Sequence, residues 1–342
     1  MIKTKLLLIF GGESPEHEIS ILSAKNVAAA IDQNKYQVTY CYITKDGAWV
    51  LQDNWTGDEP KEVGDRIAVI PGAKQCMNVS DNSVLEFDVA FPVLHGKNGE
   101  DGTIQGLLAM MKLPMVGCNV ESSALCMHKD ATKRVLASYG IPVANGMTVH
   151  SGYDIEQVQI DVSKKLGAAP WFVKPSRVGS SIGVRKVANE SELTDAIVNA
   201  LQFDDTVLIE EAIIGRELEV AVLGNVPRHS ASVVGEIITG AEFYDYDDKY
   251  SEDSESQVKL NVTLPADIEE NIRSIAERTF EYLGCGGLSR VDFLMDGEGK
   301  LYVNEVNTMP GFTNISMYPK LWQEQGVSYA ELIDSLIELA LE

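Results

Sequence analysis

Apolar residues first concentrate at 6–10 (LLLIF), an unbroken run ending in Gly11-Gly12, as in a strand buried on both faces. Apolar positions at Ile21, Val27 and Ile31 then follow helical spacing, and β-rich runs near 37–43 and 88–94 predict two more strands. Strands alternating with helices indicate an α/β domain with a largely parallel sheet. Residues 45–74 are polar and irregular, with a short hairpin expected at 48–52. Helical patterns recur at 103–111, at 123–139 (carrying Lys129 and Lys133 one turn apart), at 189–201, 265–283 and 329–341. Strands are expected at 171–174, 184–187, 206–213 and 217–223.

The alternation is clearest around Asp296-Gly297-Glu298-Gly299, a turn signal between two strand-like runs. A turn centred between Gly297 and Glu298 places Arg290 opposite Glu305 and Asp292 opposite Val303. Arg290, Asp292, Glu305 and Asn307 then share one face, while Val291, Phe293, Met295, Tyr302 and Val306 face a core. Asp292 and Glu305 become diagonal neighbours, about 7–8 Å apart. That separation suits hard cations, with Asn307 adding a neutral oxygen, and Mg²⁺ takes such carboxylates together with substrate phosphates. Arg290 would hold a phosphoryl group or an oxyanion. An ordinary charged surface hairpin satisfies the same stretch, and a one-residue slip would separate the two carboxylates.

Three loops interrupt the pattern. Residues 95–102 (HGKNGEDG) follow a strand and open a helix, where parallel sheets bind ligands, although a plain connection also fits. Residues 175–183 (PSRVGSSIG) lie between strands and would either cover phosphates with backbone N–H groups or form a simple hairpin. Residues 239–257 are long, acidic and aromatic, as in a lid, with disorder as the alternative. Glu210, Glu211 and Glu217 interrupt apolar strand runs and need partners, ligands or a solvated edge.

Composition narrows the classes. A 342-residue chain with net charge −23 is large enough for two or three domains and ill suited to nonspecific nucleic-acid or anionic-membrane binding. Five scattered cysteines without a C-x-x-C pattern read as reduced thiols in a cytoplasmic protein. No run reaches membrane-span length, and the apolar start is too short for a signal peptide. Neither a G-x-G-x-x-G nor a P-loop motif occurs.

Taken together, GGESPEHEIS, HGKNGEDGT, FVKPSRVGSSIGV, FYDYDDKY, SRVDF and NEVNTMPGFT resemble the D-alanine–D-alanine ligase family, in family order from about Leu6 to Met317. The resemblance implies an ATP-grasp fold preceded by a Rossmann-like N-terminal α/β domain. Its divisions would be 1–121 (binding the first D-alanine), 122–214 (with the phosphate-covering loop) and 215–342 (with the metal site and lid 239–257). It implies that Lys129, Lys174, Ser180 and Ser181 serve the ATP phosphates. Glu210 would accept from the adenine amino group, the backbones of Glu211 and Ile213 would edge the purine, and Glu217 would bind ribose. Asp292, Glu305 and Asn307 would hold two Mg²⁺ (or Mn²⁺) ions. Glu16 would take the first ammonium, Arg290 and the Gly311 backbone the oxyanion, and Ser316 the second carboxylate. Lys249 and Tyr250 would sit on the lid, with Tyr250 linked through Ser180 to Glu16. The implied reaction joins two D-alanines through an acylphosphate, with ADP and phosphate released, for peptidoglycan precursors, in a homodimer. His128 departs from the family's usual Asp and reads as a helix-surface residue. Tyr250 points to dipeptide formation rather than D-lactate use, and Met317 offers a D-serine hydroxyl no partner. A nucleotide-binding regulatory module without catalysis is the competing class.

Overall fold

The first apolar run forms strand β1 (Thr4–Gly11), and both of its faces are covered. Leu6, Leu8 and Phe10 belong to one core, and Leu7 and Ile9 to another. This computed structural model describes residues 2–238, 257–260 and 262–342. Lys249, Tyr250 and most of the expected lid, 239–256, lie outside the described residues, whereas Gln257 begins a strand.

After β1 come helix α1 (His17–Ala30), β2 (Tyr36–Ile43), β3 (Trp49–Gln52), and three short strands, β4 (Ile67–Ile70), β5 (Gln75–Asn78) and β6 (Val84–Glu86). Then follow β7 (Val89–Val93) and α2 (Thr103–Met110). The first sheet has the order β3-β2-β1-β7, with β1 parallel to β2 and β7. β4, β5 and β6 make a small antiparallel sheet, β4 inside the stretch 45–74 expected to be irregular and β5 and β6 just after it, where no strand is expected. Strands this short carry too few alternating positions to stand out from polar surroundings. The carboxyl ends of β1 and β7 lie side by side, so Glu16 and residues 95–102 open onto the same edge. Gly11 is required there: its φ is +92°, and a Cβ would lie 2.3 Å from the Ile43 carbonyl oxygen.

The helix expected at 123–139 is two helices, α3 (Val120–Met127) and α4 (Lys129–Ser138). His128 is the break, and the surface assignment is corrected accordingly. Its Nδ1 accepts from the Ala131 N–H at 3.3 Å and lies 3.0 Å from Ser176 Oγ, so it caps α4. A second sheet follows from β8 (Gly146–His150), α5 (Ile155–Leu166), β9 (Trp171–Pro175), β10 (Arg185–Val187), α6 (Leu193–Ala200) and β11 (Thr206–Glu211). Its order is β10-β9-β11-β8.

The third large sheet is antiparallel, with order β14-β13-β12-β15-β16. It contains β12 (Gly215–Asn225), β13 (Arg228–Ile238), β14 (Gln257–Lys259), β15 (Gly286–Asp296) and β16 (Leu301–Asn307). Helix α7 (Ala266–Tyr282) packs on it through Ile272, Ile275, Ala276, Thr279 and Phe280, the i, i+3, i+4, i+7, i+8 stripe of an amphipathic helix. Of the last helices, α8 (Met317–Glu324) packs on β12 and β13 of the third sheet, and α9 (Tyr329–Leu341) reaches β7 and α1 as well as β12 and β15. Tyr318, Leu321, Trp322, Leu332 and Leu336 share a core with Leu6, Phe91 and Phe312. Lys35 and Tyr36 bind Asp334 at 2.5 and 2.6 Å. A purely linear division at residue 215 does not express this shared core. The five cysteines are all buried and free, and no helix among the described residues is long and apolar enough to cross a membrane.

Candidate active site

The β15–β16 hairpin carries the charged face, in a register different from the expected one. Its loop is Gly297-Glu298-Gly299, closed by Asp296 N–H to Lys300 C=O at 3.0 Å, with Gly299 at φ +83°. The Asp296 carboxylate also accepts from the Glu298 and Lys300 N–H groups. Pairing therefore runs Met295 with Leu301 and Phe293 with Val303, then shifts, so that Asp292 faces Glu305 and Arg290 faces Asn307. Asn304 is the extra residue of the bulge. The bulge converts an expected diagonal into a direct pair, for which Cβ separations are about 4.5–5.5 Å. The three-residue loop itself places Tyr302 opposite Leu294, off the face of Val291 and Phe293, correcting its assignment to that core.

Each charge on this face has a defined partner. Arg290 grips Asp292 with two hydrogen bonds of 2.7 Å, and its Nε lies 3.0 Å from Glu219. Burial opposes the guanidinium charge, but the carboxylates of Asp292 and Glu219 outweigh it and raise its pKa well above the ordinary value. Asn307 donates to Asp292 at 2.9 Å. Lys129, the first residue of α4, reaches Glu305 at 3.3 Å and the Val178 carbonyl at 2.9 Å, tying the 175–183 loop to the hairpin. Lys174 on β9 lies 2.8 Å from Glu210 and donates to Asn304, the bulge residue, at 3.1 Å. Glu210 also pairs with Lys133 and is almost wholly buried. Burial alone would raise its pKa, yet the two ammonium groups reverse that and keep it ionised.

Across from the hairpin, Ser180 donates to Glu16 at 2.5 Å. Ser180 and Ser181 hold left-handed backbone, φ +51° and +59°, which costs a non-glycine residue about 1–2 kcal/mol. Gly96 (φ +67°) lies against Glu16, and a Cβ there would meet the Glu16 carboxylate at 2.5 Å. At the third side, Ser316 caps nothing at the start of α8; its hydroxyl bonds Thr313 and faces Gly311.

A cavity of about 680 Å³ joins these walls. It is lined by Glu16, Lys129, Lys174, Ser180, Ser181, Glu217, Arg290, Asp292, Glu305, Asn307, Gly311 and Ser316. Glu210, Glu211 and Ile213 are not on that wall. Glu211 is instead bonded to Asn145, its carboxylate accepting at 2.9 Å. Among the described residues no three His, Cys, Asp or Glu side chains group as a metal cluster. The hard-oxygen pair Asp292–Glu305 with an adjacent amide still fits Mg²⁺, which takes one or two carboxylates and completes its shell with water and phosphate.

The structure adds residues to which the sequence reading gave no role: Glu219, Lys133, Asn304, His95 and Glu100. Glu219 lies two residues from Glu217, on the same strand face, and Lys133 one turn from Lys129, so periodicity held a signal for both. His95 and Glu100 line the cavity from the 95–102 loop. Burial and the charge of Glu16 push the Glu100 carboxyl up to about 7, against N–H donors from Gly96 and Met309.

Comparison with known proteins decides the family. Residues 5–118 match the family profile described as D-ala D-ala ligase N-terminus, and 135–338 the corresponding C-terminus. A D-alanine–D-alanine ligase of Oceanobacillus iheyensis is 45% identical over 353 aligned positions, covering 100% of this chain and 96% of the relative. The chain belongs to the D-alanine–D-alanine ligase family. It is thus an ATP-using ligase whose ATP-grasp fold follows a Rossmann-like α/β sheet. The ligase superimposes on the solved D-alanine–D-alanine ligase of Coxiella burnetii with TM-score 0.88 and 37% identity, over 99% of this chain and 95% of that one. It superimposes on VanG, a D-Ala:D-Ser ligase of Enterococcus faecalis, with TM-score 0.90 and 36% identity, over 99% and 100%.

Proposed function

We propose that this ligase joins two D-alanine molecules to D-alanyl-D-alanine through an acylphosphate, releasing ADP and phosphate, and that the dipeptide enters peptidoglycan precursors in the cytoplasm. The observation that carries the reading is one cavity with Arg290, Asp292, Glu305 and Asn307 on one wall and the Glu16–Ser180 pair on another. Its working divisions are 1–121, 122–214 and 215–342, with α9 packed back against β7 and α1; the working form is a homodimer.

Glu16 binds the first D-alanine's ammonium, and the left-handed Ser180–Ser181 turn closes over the ATP phosphates beside Lys129 and Lys174. Glu210 accepts from the adenine amino group, the backbones of Glu211 and Ile213 edge the purine, and Glu217 binds ribose. Asp292, Glu305 and Asn307 would hold two Mg²⁺ or Mn²⁺ ions, which when bound neutralise phosphate charge. The carboxylate oxygen of the first D-alanine bonds to the γ-phosphorus as the bond to ADP breaks. The second D-alanine's nitrogen, its extra proton given up to water, bonds to the acyl carbon; the carbon–oxygen bond then breaks, and the phosphate leaves with the nitrogen's surplus proton. Arg290 and the Gly311 N–H stabilise the tetrahedral oxyanion between those events. Ser316 holds the second carboxylate. Lys249 and Tyr250, outside the described residues, would serve to exclude water from the acylphosphate.

D-alanine labelled with heavy oxygen in its carboxylate tests the acylphosphate directly. One labelled oxygen should appear in the released phosphate, and unlabelled phosphate would contradict the step. The likeness to a D-Ala:D-Ser ligase makes D-serine the specific competitor for the second site. Met317, which is buried and lines the cavity, gives its hydroxyl no polar partner, so D-serine should be used only weakly. Equal catalytic efficiency with D-serine would refute that preference. Asn307→Ala should shift the Mg²⁺ dependence of turnover to higher concentration while the melting temperature stays near wild type. An unaltered metal titration would remove Asn307 from the ligand set.

A further inference from the structure

Gly311 lies in a segment whose two ends are held by side chains from the first sheet's loops and from α1. At one end, the Met309 N–H donates to Glu100 Oε1 at 3.2 Å, while Glu100 Oε2 accepts from the Gly96 N–H at 2.8 Å. Each carboxylate oxygen therefore has its own backbone donor. The Met309 carbonyl lies 2.9 Å from His95 Nδ1. A carbonyl only accepts, so Nδ1 carries the proton, and burial keeps the ring neutral by lowering its pKa. His95 Nε2 is then an acceptor, and its neighbour is Ser23 Oγ at 3.2 Å. Ser23 in turn accepts from the Phe312 N–H at 3.1 Å. At that same end the Phe312 carbonyl accepts from Asn26 Nδ2 at 3.0 Å and from the Tyr329 hydroxyl at 2.8 Å. The donor and acceptor roles close consistently from Met309 through His95 and Ser23 to Phe312, with Gly311 just before it.

We propose that Glu100 is a positioning residue for the oxyanion contact. It ties the Gly96 turn to the Met309 amide and, with Ser23 holding Phe312, aims the Gly311 N–H into the cavity. The inference rests on the reading of Gly311 as the oxyanion's backbone donor. It explains why a half-buried carboxylate with no assigned substrate contact stands at the cavity wall between two backbone N–H groups. An amide at this position would set its NH₂ against one of the two backbone N–H groups. A mispositioned donor loses transition-state stabilisation while ground-state binding of nucleotide is spared.

The test uses the full-length enzyme with Glu100→Gln and Ser23→Ala, singly and combined. The readouts are kcat, the KM values for ATP and D-alanine, and affinity for a phosphinate dipeptide analogue, tetrahedral at the reacting atom, with ATP present. Each single variant should lose about 10- to 100-fold in kcat and a matching factor in analogue affinity. The KM for ATP should stay within about twofold, since a merely structural loosening would not spare it. The double variant should lose less than the product of the two, because both act through the segment 309–312. If Glu100→Gln does not fold, Glu100→Asp, which keeps the charge but is too short to span both N–H groups, takes its place. Wild-type kcat in the variants, or a kcat loss without loss of analogue affinity, overturns the proposal while leaving the Gly311 reading intact. A wild-type enzyme that binds the tetrahedral analogue no better than D-alanyl-D-alanine overturns both.

Discussion

Replacing Arg290 by methionine should reduce turnover by at least about 10²–10³-fold, the usual consequence of losing a well-placed oxyanion donor. It should also lower stability by about 3–5 kcal/mol, because one member of a buried charge group is removed and the rest are left uncompensated. The side chain is only 18% exposed and is the shared counterion of Asp292 and Glu219. The two effects separate in a second variant. Adding Glu219→Gln to Arg290→Met should recover part of the stability, since one stranded carboxylate is gone, but none of the turnover. Urea denaturation and steady-state rates check this pair of expectations. Recovery of both together would mean that Arg290 matters only to the fold.

Glu210→Gln should be the next most damaging substitution. It removes the common carboxylate of Lys133 and Lys174, leaving two ammonium groups side by side with far less compensation. A loss of about 3–5 kcal/mol is expected, together with a raised KM for ATP, because Lys174 no longer holds its place beside Asn304. The sign of the pH dependence follows from the same geometry. In the wild type the Glu210 pKa lies below its ordinary value, so its contribution is full above the ordinary glutamate range and fades as pH falls through the depressed value. In the variant the dominant charges are lysines, and burial lowers the pKa of Lys133. A lysine with a depressed folded pKa is deprotonated more readily in the native state than in the unfolded one. The deficit of the variant should therefore shrink as pH rises toward the ordinary lysine range. A deficit that stays constant from neutral to alkaline pH would show that the loss comes from packing rather than charge.

Much of this architecture was legible before any coordinates. The 6–10 run was readable because parallel strands covered on both faces leave an uninterrupted apolar signature. The hairpin was readable because glycines flank Glu298 between alternating runs. Its register was not, because an inserted residue leaves no mark on alternation until the partner strand is known; Asn304 looked like any other polar position. The helix break at His128 was hidden for a related reason. Residues on both sides are good helix formers, and only the contacts of His128 with Ala131 and Ser176 show that it caps α4. Strand β13 escaped notice although β-branched residues run through its second half, and β4–β6 are too short to announce themselves.

The candidate site divides along the same line. Residues carried by local motifs, such as Arg290, Asp292, Glu16 and the Ser180–Ser181 pair, meet around one cavity. Those whose meaning depends on a distant partner were missed. Glu219 acquires its role only when β12 is laid against β15, and Glu100 only when the 95–102 loop meets Met309, 209 residues away.

The most direct test of the central claim is phosphate release from ATP and Mg²⁺ by the purified chain, with and without D-alanine, and with the product identified by mass. Release that depends on D-alanine and is matched by an equal amount of D-alanyl-D-alanine is the predicted result. No D-alanine-dependent release, with nucleotide still bound, would contradict it and would leave a nucleotide-binding module in place of a working ligase.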